Sequence, residues 1–350
     1  MPARLLTVVV FLVLVFGLNV AFRPLLKGTL GTSFRQQLKK QLFSVQVNKD
    51  DWRGISYSEL KSDRSTFLDV VKKRAQTASP LRRSEESEVH KLLQVHSASL
   101  EASGLSRLTY NLGTLVTSGA GNSGAGSGRG SRDSASVLLG CVPRVAGQMG
   151  AGDVSSLLVG LARMGVKWRD IQRVGVLMDR VEVLIGKADE TEIADIMWSL
   201  GTMGARWSEV RWKEALLNSL VLRIRKFSAY TLSSSLWSLA KVGVRWQDFD
   251  AAQKFQIMDQ IAKVSTKVSP QNASKLLWAL GSFGANFRHF PLGLLETLVL
   301  RVGDTKKSKM GNALSASHAL SGTAKTGLQW TQASGATRAG LWEQVERVCQ

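Results

Sequence analysis

The 350-residue chain is poor in the side chains that most chemistry uses. It has two cysteines, Cys141 and Cys349, too few for a disulfide-stapled scaffold, and no CxxC pair for a zinc knuckle or ribbon. Its four histidines, His90, His96, His289 and His318, stand in no metal-ligating or catalytic spacing. Acid is scarce relative to base: 27 Asp plus Glu against 46 Lys plus Arg leave a formal charge of +19. Asp189, Glu190, Glu192 and Asp195 do cluster, but at the start of an expected helix, where carboxylates offset the helix dipole. Cys141 has no histidine near it in sequence, and neither Asp153 nor Asp170 has a metal partner in reach of a motif. These absences predict a chain that binds rather than catalyses, without a cofactor or metal. The basic excess points to a polyanionic partner, nucleic acid first.

No Asp or Glu occurs before Asp50. After Arg4 comes the apolar run Leu5–Leu18 and then Asn19-Val20-Ala21, which reads either as a cleaved signal peptide (residues 1–21) or as a retained membrane anchor. Residues 22–49 carry Arg23, Lys27, Arg35, Lys39, Lys40 and Lys49 with Ser, Thr and Gln, and an amphipathic stretch around Phe34–Phe43. That is transit-peptide composition. A signal peptide joined to such a segment through Ala21-Phe22-Arg23-Pro24 resembles the bipartite leader of secondary plastids. The resemblance implies a plastid protein; a mitochondrial or secretory destination is the lesser alternative, and membrane contact is expected only through an uncleaved N-terminal segment.

Residues 50–117 are mixed and partly helical, with the run Arg82–Glu88 expected as a loop. Ser118–Gly130, SGAGNSGAGSGRG, offers almost no side chain to bury, so residues 118–133 are expected to be a linker. The stretch lacks the Gly-Lys-Ser/Thr ending of a phosphate-binding loop.

The remaining chain, residues 134–350, repeats itself. Val159–Trp168, Trp198–Trp207, Trp237–Trp246 and Trp278–Phe287 align, with shared glycines Gly165, Gly204, Gly243 and Gly284 spaced by 39, 39 and 41 residues. A degenerate fifth copy runs from Ala319-Leu320 through Gly327 to Trp330, 43 residues further on, and Leu112–Gly119 hints at an earlier one. Upstream of each glycine the apolar residues recur at helical spacing, as in Ile193, Ile196, Met197, Leu200 and Met203, or Leu236, Leu239 and Val242. The glycine ends the first helix in the left-handed region. A second helix is expected over Ile171–Ile185, Val210–Ile224, Phe249–Val264 and Phe290–Val302. Such αα-hairpins cannot bury their own apolar faces, and stacking supplies the core. The expected fold is all-α: a right-handed α-solenoid of 39–43-residue hairpins with one concave surface.

Leu236-Trp237-Ser238-Leu239-Ala240 with Gly243, Met197-Trp198-Ser199-Leu200-Gly201 with Gly204, and Leu277-Trp278-Ala279-Leu280-Gly281 with Gly284 give a Leu-Trp-Ser/Ala-Leu-Ala/Gly-x-x-Gly pattern. It resembles the octotricopeptide-type and related heptatricopeptide-type repeats of organellar proteins, over residues 150–330. The chain departs from the family in lacking its proline-rich motif after the first helix, and it has no C-terminal RAP-like domain. The resemblance implies a protein that binds single-stranded organellar RNA and supports its stability, processing or translation, alone or with other RNA-processing or translation proteins.

Charge supports the same expectation. Residues 151–350 hold 26 Lys plus Arg against 17 Asp plus Glu. Lys167, Arg206 and Arg245 each precede the aromatic of their unit, Arg163 and Lys241 share a second phase, and Arg223, Arg225 and Lys226 form a further cluster. In-phase cations stack into a stripe that tracks a phosphate backbone. Trp198, Trp237 and Trp278 are expected as core or inter-repeat wedges before stacking platforms, and Trp168, Trp207, Trp246, Phe287 and Trp330 as seals of the repeat edge. The competing expectation is a solenoid that binds protein instead of RNA.

Overall fold

The computed structural model describes residues 57–77, 83–119, 129–286, 293–303 and 312–327, with a few isolated positions besides. The expected signal and transit segments, Phe287 and Trp330 lie outside the described residues. What is described is helical, with no strand among the described residues. Two short units open it, α1 (Tyr57–Ser62) and α2 (Arg64–Gln76), followed by α3 (Arg83–His96), α4 (Ala102–Gly119) and α5 (Arg129–Val145). Then come α6 (Ala151–Arg163), α7 (Trp168–Gln172), α8 (Gly175–Leu184), α9 (Glu190–Met203) and α10 (Lys213–Arg223). The last are α11 (Ala229–Val242), α12 (Ala251–Ser265), α13 (Pro270–Phe283), α14 (Leu294–Gly303) and α15 (Asn312–Lys325). Among the described residues no helix is long and apolar enough to cross a membrane.

The helices form two rows. Helices α2, α4, α6, α9, α11, α13 and α15 each pack on the next, and we call them the A row. Between them run the B-row elements α3, α5, α7–α8, α10, α12 and α14. The chain is therefore an α-solenoid of stacked αα-hairpins. The A row is the more closely packed layer. Small residues make that approach possible. Cβ atoms built on Gly281 and Gly322 would lie 2.3 Å from the Gly322 and Leu277 carbonyl oxygens, and one on Gly160 would lie 2.3 Å from that of Thr109.

The core follows the expected pattern: Ile193, Ile196, Met197, Leu200 and Met203 are buried, as are Leu236, Leu239 and Val242. Fully burying one such side chain is worth about 1.5–3 kcal/mol. Gly204, Gly243 and Gly284 take φ of 75°, 96° and 76° and stop α9, α11 and α13. The next N–H bonds back across the turn, from Ala205 to the Leu200 carbonyl, Val244 to Leu239 and Ala285 to Leu280, a six-to-one closure that Gly165 repeats through Val166 and Leu161. The expected second helices begin later than their apolar patterns do. Trp207–Glu209 and Trp246–Asp248 are 3₁₀ turns, and α10 and α12 start only at Lys213 and Ala251.

Two expectations change upstream of residue 134. Arg83–Glu88 opens α3 instead of forming a loop, because Glu85 meets Arg74 of α2 in a buried ion pair at 2.7 Å. The Gly/Ser-rich stretch joins the two helices of one hairpin. Ser118 and Gly119 close α4, α5 has begun by Arg129, and α4 packs against α6 as part of the A row. The stacked array thus starts before residue 134.

Candidate functional site

Counting back from the turn glycine identifies one stripe on α9, α11 and α13; in α6 the ring position is taken by buried Val159. Positions thirteen, nine, six and two before the glycine lie one or two turns apart on one face. In α11 they are Tyr230, Ser234, Trp237 and Lys241; in α13, Gln271, Lys275, Trp278 and Ser282; in α9, Thr191, Asp195, Trp198 and Thr202. All of these are half-buried or exposed, whereas Leu236 and Leu239, which flank Trp237, are fully buried. Placed in the same register by the packing of Gly113 on Gly160, α4 contributes Arg107, Tyr110 and Thr114. The tryptophans, expected as core or inter-repeat wedges, are half-buried: Trp237 and Trp278 meet between neighbouring repeats and floor an open face. Leu-Trp-Ser-Leu reads as one apolar run, yet its leucines point inward and its tryptophan sits at the boundary.

Rings and cations alternate along this face. Trp237 and Trp278, on neighbouring helices, have ring centroids 6.0 Å apart, and His318 of α15 follows 5.9 Å from Trp278. The Arg163 guanidinium lies 4.7 Å from the Tyr110 ring centroid and 5.9 Å from that of Trp198. Lys241 Nζ stands 4.5 Å over Trp237, Lys325 Nζ 5.9 Å over Trp278 and Lys275 Nζ 5.7 Å over Tyr230. Each exposed cation–π contact contributes about 0.5–1 kcal/mol. It also holds a charge above a ring without neutralising it. None of Arg163, Lys241, Lys275 and Lys325 forms an ion pair with a described carboxylate; Arg163 donates to Thr114 Oγ1 at 2.9 Å.

The electrostatics fit a face short of counter-charge. Burial, and secondarily the charge of Lys167, lowers the Lys241 pKa; burial lowers that of Lys275. Burial and then Lys275 lower that of His318. The one carboxylate on the stripe is Asp195. Burial pushes it up to about 6, Arg163 opposes the shift, and Asp189 and Glu192 add to it.

The other sequence candidates lie elsewhere. Lys167, Arg206 and Arg245 are exposed, but at the turns from A to B helix, not on the stripe. Each backbone N–H there donates to an acid three residues on: Asp170 at 3.4 Å, Glu209 at 3.3 Å and Asp248 at 2.7 Å. The rim cations thus come with a carboxylate in the same phase. Arg223 donates to the Gly186 carbonyl at 2.8 Å, Lys226 stands 3.8 Å from Glu190, and Arg225 is exposed beside them. Arg223 belongs to a series of bonds that sequence reasoning missed. From B helices to the turn that enters the same hairpin, Arg144 donates to Leu100 (2.6 Å), Arg180 to Met149 (2.8 Å), Gln260 to Phe227 (3.1 Å) and Arg301 to Thr266. A share of the basic excess therefore ties the array together. Trp168, Trp207 and Trp246 are buried at the repeat edge, the sealing place expected of them.

Missed at the sequence level were Tyr110, Tyr230, Lys275, His318 and Lys325. Their shared signal is distance from the turn glycine, visible for Lys325 two residues before Gly327 and hidden for Tyr110, whose unit lacks that glycine. No group of His, Cys, Asp and Glu among the described residues is arranged to hold a metal ion. No protein-family model matches the chain, and no curated protein matches it either.

Proposed function

We propose that this is an organellar RNA-binding helical-repeat protein that holds single-stranded RNA along the A-row face and acts after transcription, on transcript stability, processing or translation. The observation that carries the reading is the alternation of open or half-buried rings (Tyr110, Trp198, Trp237, Trp278, His318) with cations that form no ion pair with a described carboxylate (Arg163, Lys241, Lys275, Lys325). Unpaired bases stack on such rings for about 1–3 kcal/mol each, while the ammonium and guanidinium groups meet the backbone. Duplex RNA presents no free base faces to that floor. The leader's acid-free composition and the octotricopeptide-like repeat pattern support a plastid setting. The role is that of a binder, and no side chain is assigned catalysis.

The test is binding of the full chain to a random single-stranded RNA pool, followed by tryptophan emission. Retention with quenched emission is the expected result, with affinity lost in Trp237→Ala/Trp278→Ala and kept in Arg225→Ala. Absence of retention at low salt would sink the reading. It would favour the protein-binding solenoid, for which exposed Leu222 (77%) and Phe255 (71%) on the B row offer contacts.

A further inference from the structure

A cleft of about 660 Å³ opens on the B side, between α5 and the α7–α8 segment. Its rim carries Arg132, Lys167, Arg169 and Arg173 against a single carboxylate, Asp170. Arg169 and Arg173 each stand 3.9 Å from that carboxylate on exposed side chains. Such contacts are worth about 0–1 kcal/mol and leave both guanidiniums free to turn toward an anion. The walls are apolar: Leu139 and Pro143 from α5, Val174 and Val176 from the other side. Pro143 sits inside α5 and has no N–H to give the Leu139 carbonyl one turn back.

Arg173 has no basic counterpart in the repeats that follow, whereas Arg169 has one in Arg288. Counted from the edge tryptophans Trp168, Trp207 and Trp246, Arg173 corresponds to Trp212, which is buried, and to Ala251; Arg169 corresponds to Ser208 and Gln247. At the place of Arg173 the next hairpin has a buried indole, and at the place of Arg169 a serine. Solvation of the repeat needs neither change.

We propose that this cleft is a second site, which binds a nucleoside monophosphate group. A planar guanidinium fork matches phosphate oxygens. A cleft of this volume is in the range of small-molecule sites, larger than bare phosphate requires, and its apolar walls suit a base. The group comes either from a free nucleotide or from the phosphorylated 5′ end of a bound strand. Lys167 lines the cleft four residues after Arg163, at the edge of the A-row face, so a strand on that face reaches the cleft over the turn. The choice of ligand class rests on the RNA reading of the A row; the cleft's own binding does not.

The experiment titrates the full chain with AMP, adenosine and inorganic phosphate, and separately with one short oligoribonucleotide bearing a 5′-phosphate or a 5′-hydroxyl. AMP should bind at about millimolar concentration or better, and adenosine and phosphate at least roughly tenfold more weakly. Arg169→Ala/Arg173→Ala should weaken AMP about tenfold without lowering the melting temperature. Gly140→Phe adds a ring at an exposed helical glycine with nothing within 4 Å of its Cβ, and should close the cleft with every charge intact. A preference for the 5′-phosphate end assigns the strand as the source, and AMP binding without that preference assigns the free nucleotide. No AMP binding, AMP binding that survives both variants, or phosphate competing as well as AMP would overturn the site. An oligonucleotide that fails to bind while AMP binds overturns the A-row reading and leaves the cleft standing.

Discussion

Trp237 lies between Leu236 and Leu239, both fully buried, yet its own ring is half-open with Lys241 above it. A hydropathy pattern cannot separate the three, since one residue along a helix is 100° of rotation and an indole is as apolar as its neighbours. What could be read from sequence were the turn glycines, because only their backbone freedom explains a glycine there. Gly243 has φ 96° and open space where a Cβ would go, so Gly243→Ala tests backbone strain alone. It should cost about 1–2 kcal/mol in chemical denaturation, and an unchanged midpoint would contradict that account. Asp195 is the second residue-scale case. Its folded pKa, about 6, is raised above the ordinary 3.8 chiefly by burial, so the folded state binds the proton more tightly than the unfolded one. Stability should fall as pH rises from about 4 to 6 and level off above. Asp195→Asn should therefore raise the melting temperature at pH 7.5, and the gain should shrink steadily as the pH is brought toward 4. An equal gain at both pH values would remove burial of the charge as the cause.

At the scale of elements, the A row is held by backbone contact and the B row by side chains that reach back to the preceding turn. Gly281 against Gly322 joins α13 to α15, and the same small-on-small contact joins α4 to α6 through Gly113 and Gly160. Between α9 and α11 the pair is Gly201 and Ser238, whose Cβ-to-Cβ approach of 3.0 Å is looser. Gly281→Ala puts a methyl 2.3 Å from the Gly322 carbonyl oxygen and should cost about 1–3 kcal/mol as overpacking. The loss should be local: amide exchange should speed up in α15 while α4 and α6 keep their protection. Uniform acceleration along the chain would mean that the array unfolds as one block, against the near-neighbour behaviour of a repeat stack. The hairpins after residue 150 were legible because their glycines recur every 39–43 residues. The α4–α5 hairpin was not, since the Gly/Ser-rich connection stretches its period and Val116 stands where the turn glycine would be. The 3₁₀ turns were hidden for a different reason. Val210 and Phe249 are buried and apolar, which a helix pattern absorbs, while the acid that closes each turn through the N–H of Arg206 or Arg245 carries no hydropathy signal.

For the whole molecule, the question is how much of the +19 charge reaches a polyanion. Composition counts every Lys and Arg alike, and that is why the rim residues and the Arg223 cluster looked equivalent to Arg163 and Lys241. The structure divides them into three uses. Arg144, Arg180, Arg223 and Arg301 donate to turn carbonyls, Lys167, Arg206 and Arg245 sit at the A-to-B turns, where the backbone N–H of each bonds an acid three residues on, and Arg163, Lys241, Lys275 and Lys325 face the open stripe. If only the last group neutralises phosphates, single-stranded RNA should be bound with a salt slope of about −3, from ~0.7 per phosphate over four contacts. Were all the basic residues of the array engaged, the slope would be several times steeper. Lys241→Ala should make the slope shallower by about 0.7, while Arg206→Ala should leave it nearly unchanged. A slope that responds equally to both would place the strand across the rim instead of along the A row. The ring contacts would then serve packing alone, and Trp237→Ala/Trp278→Ala would lower the melting temperature without lowering affinity.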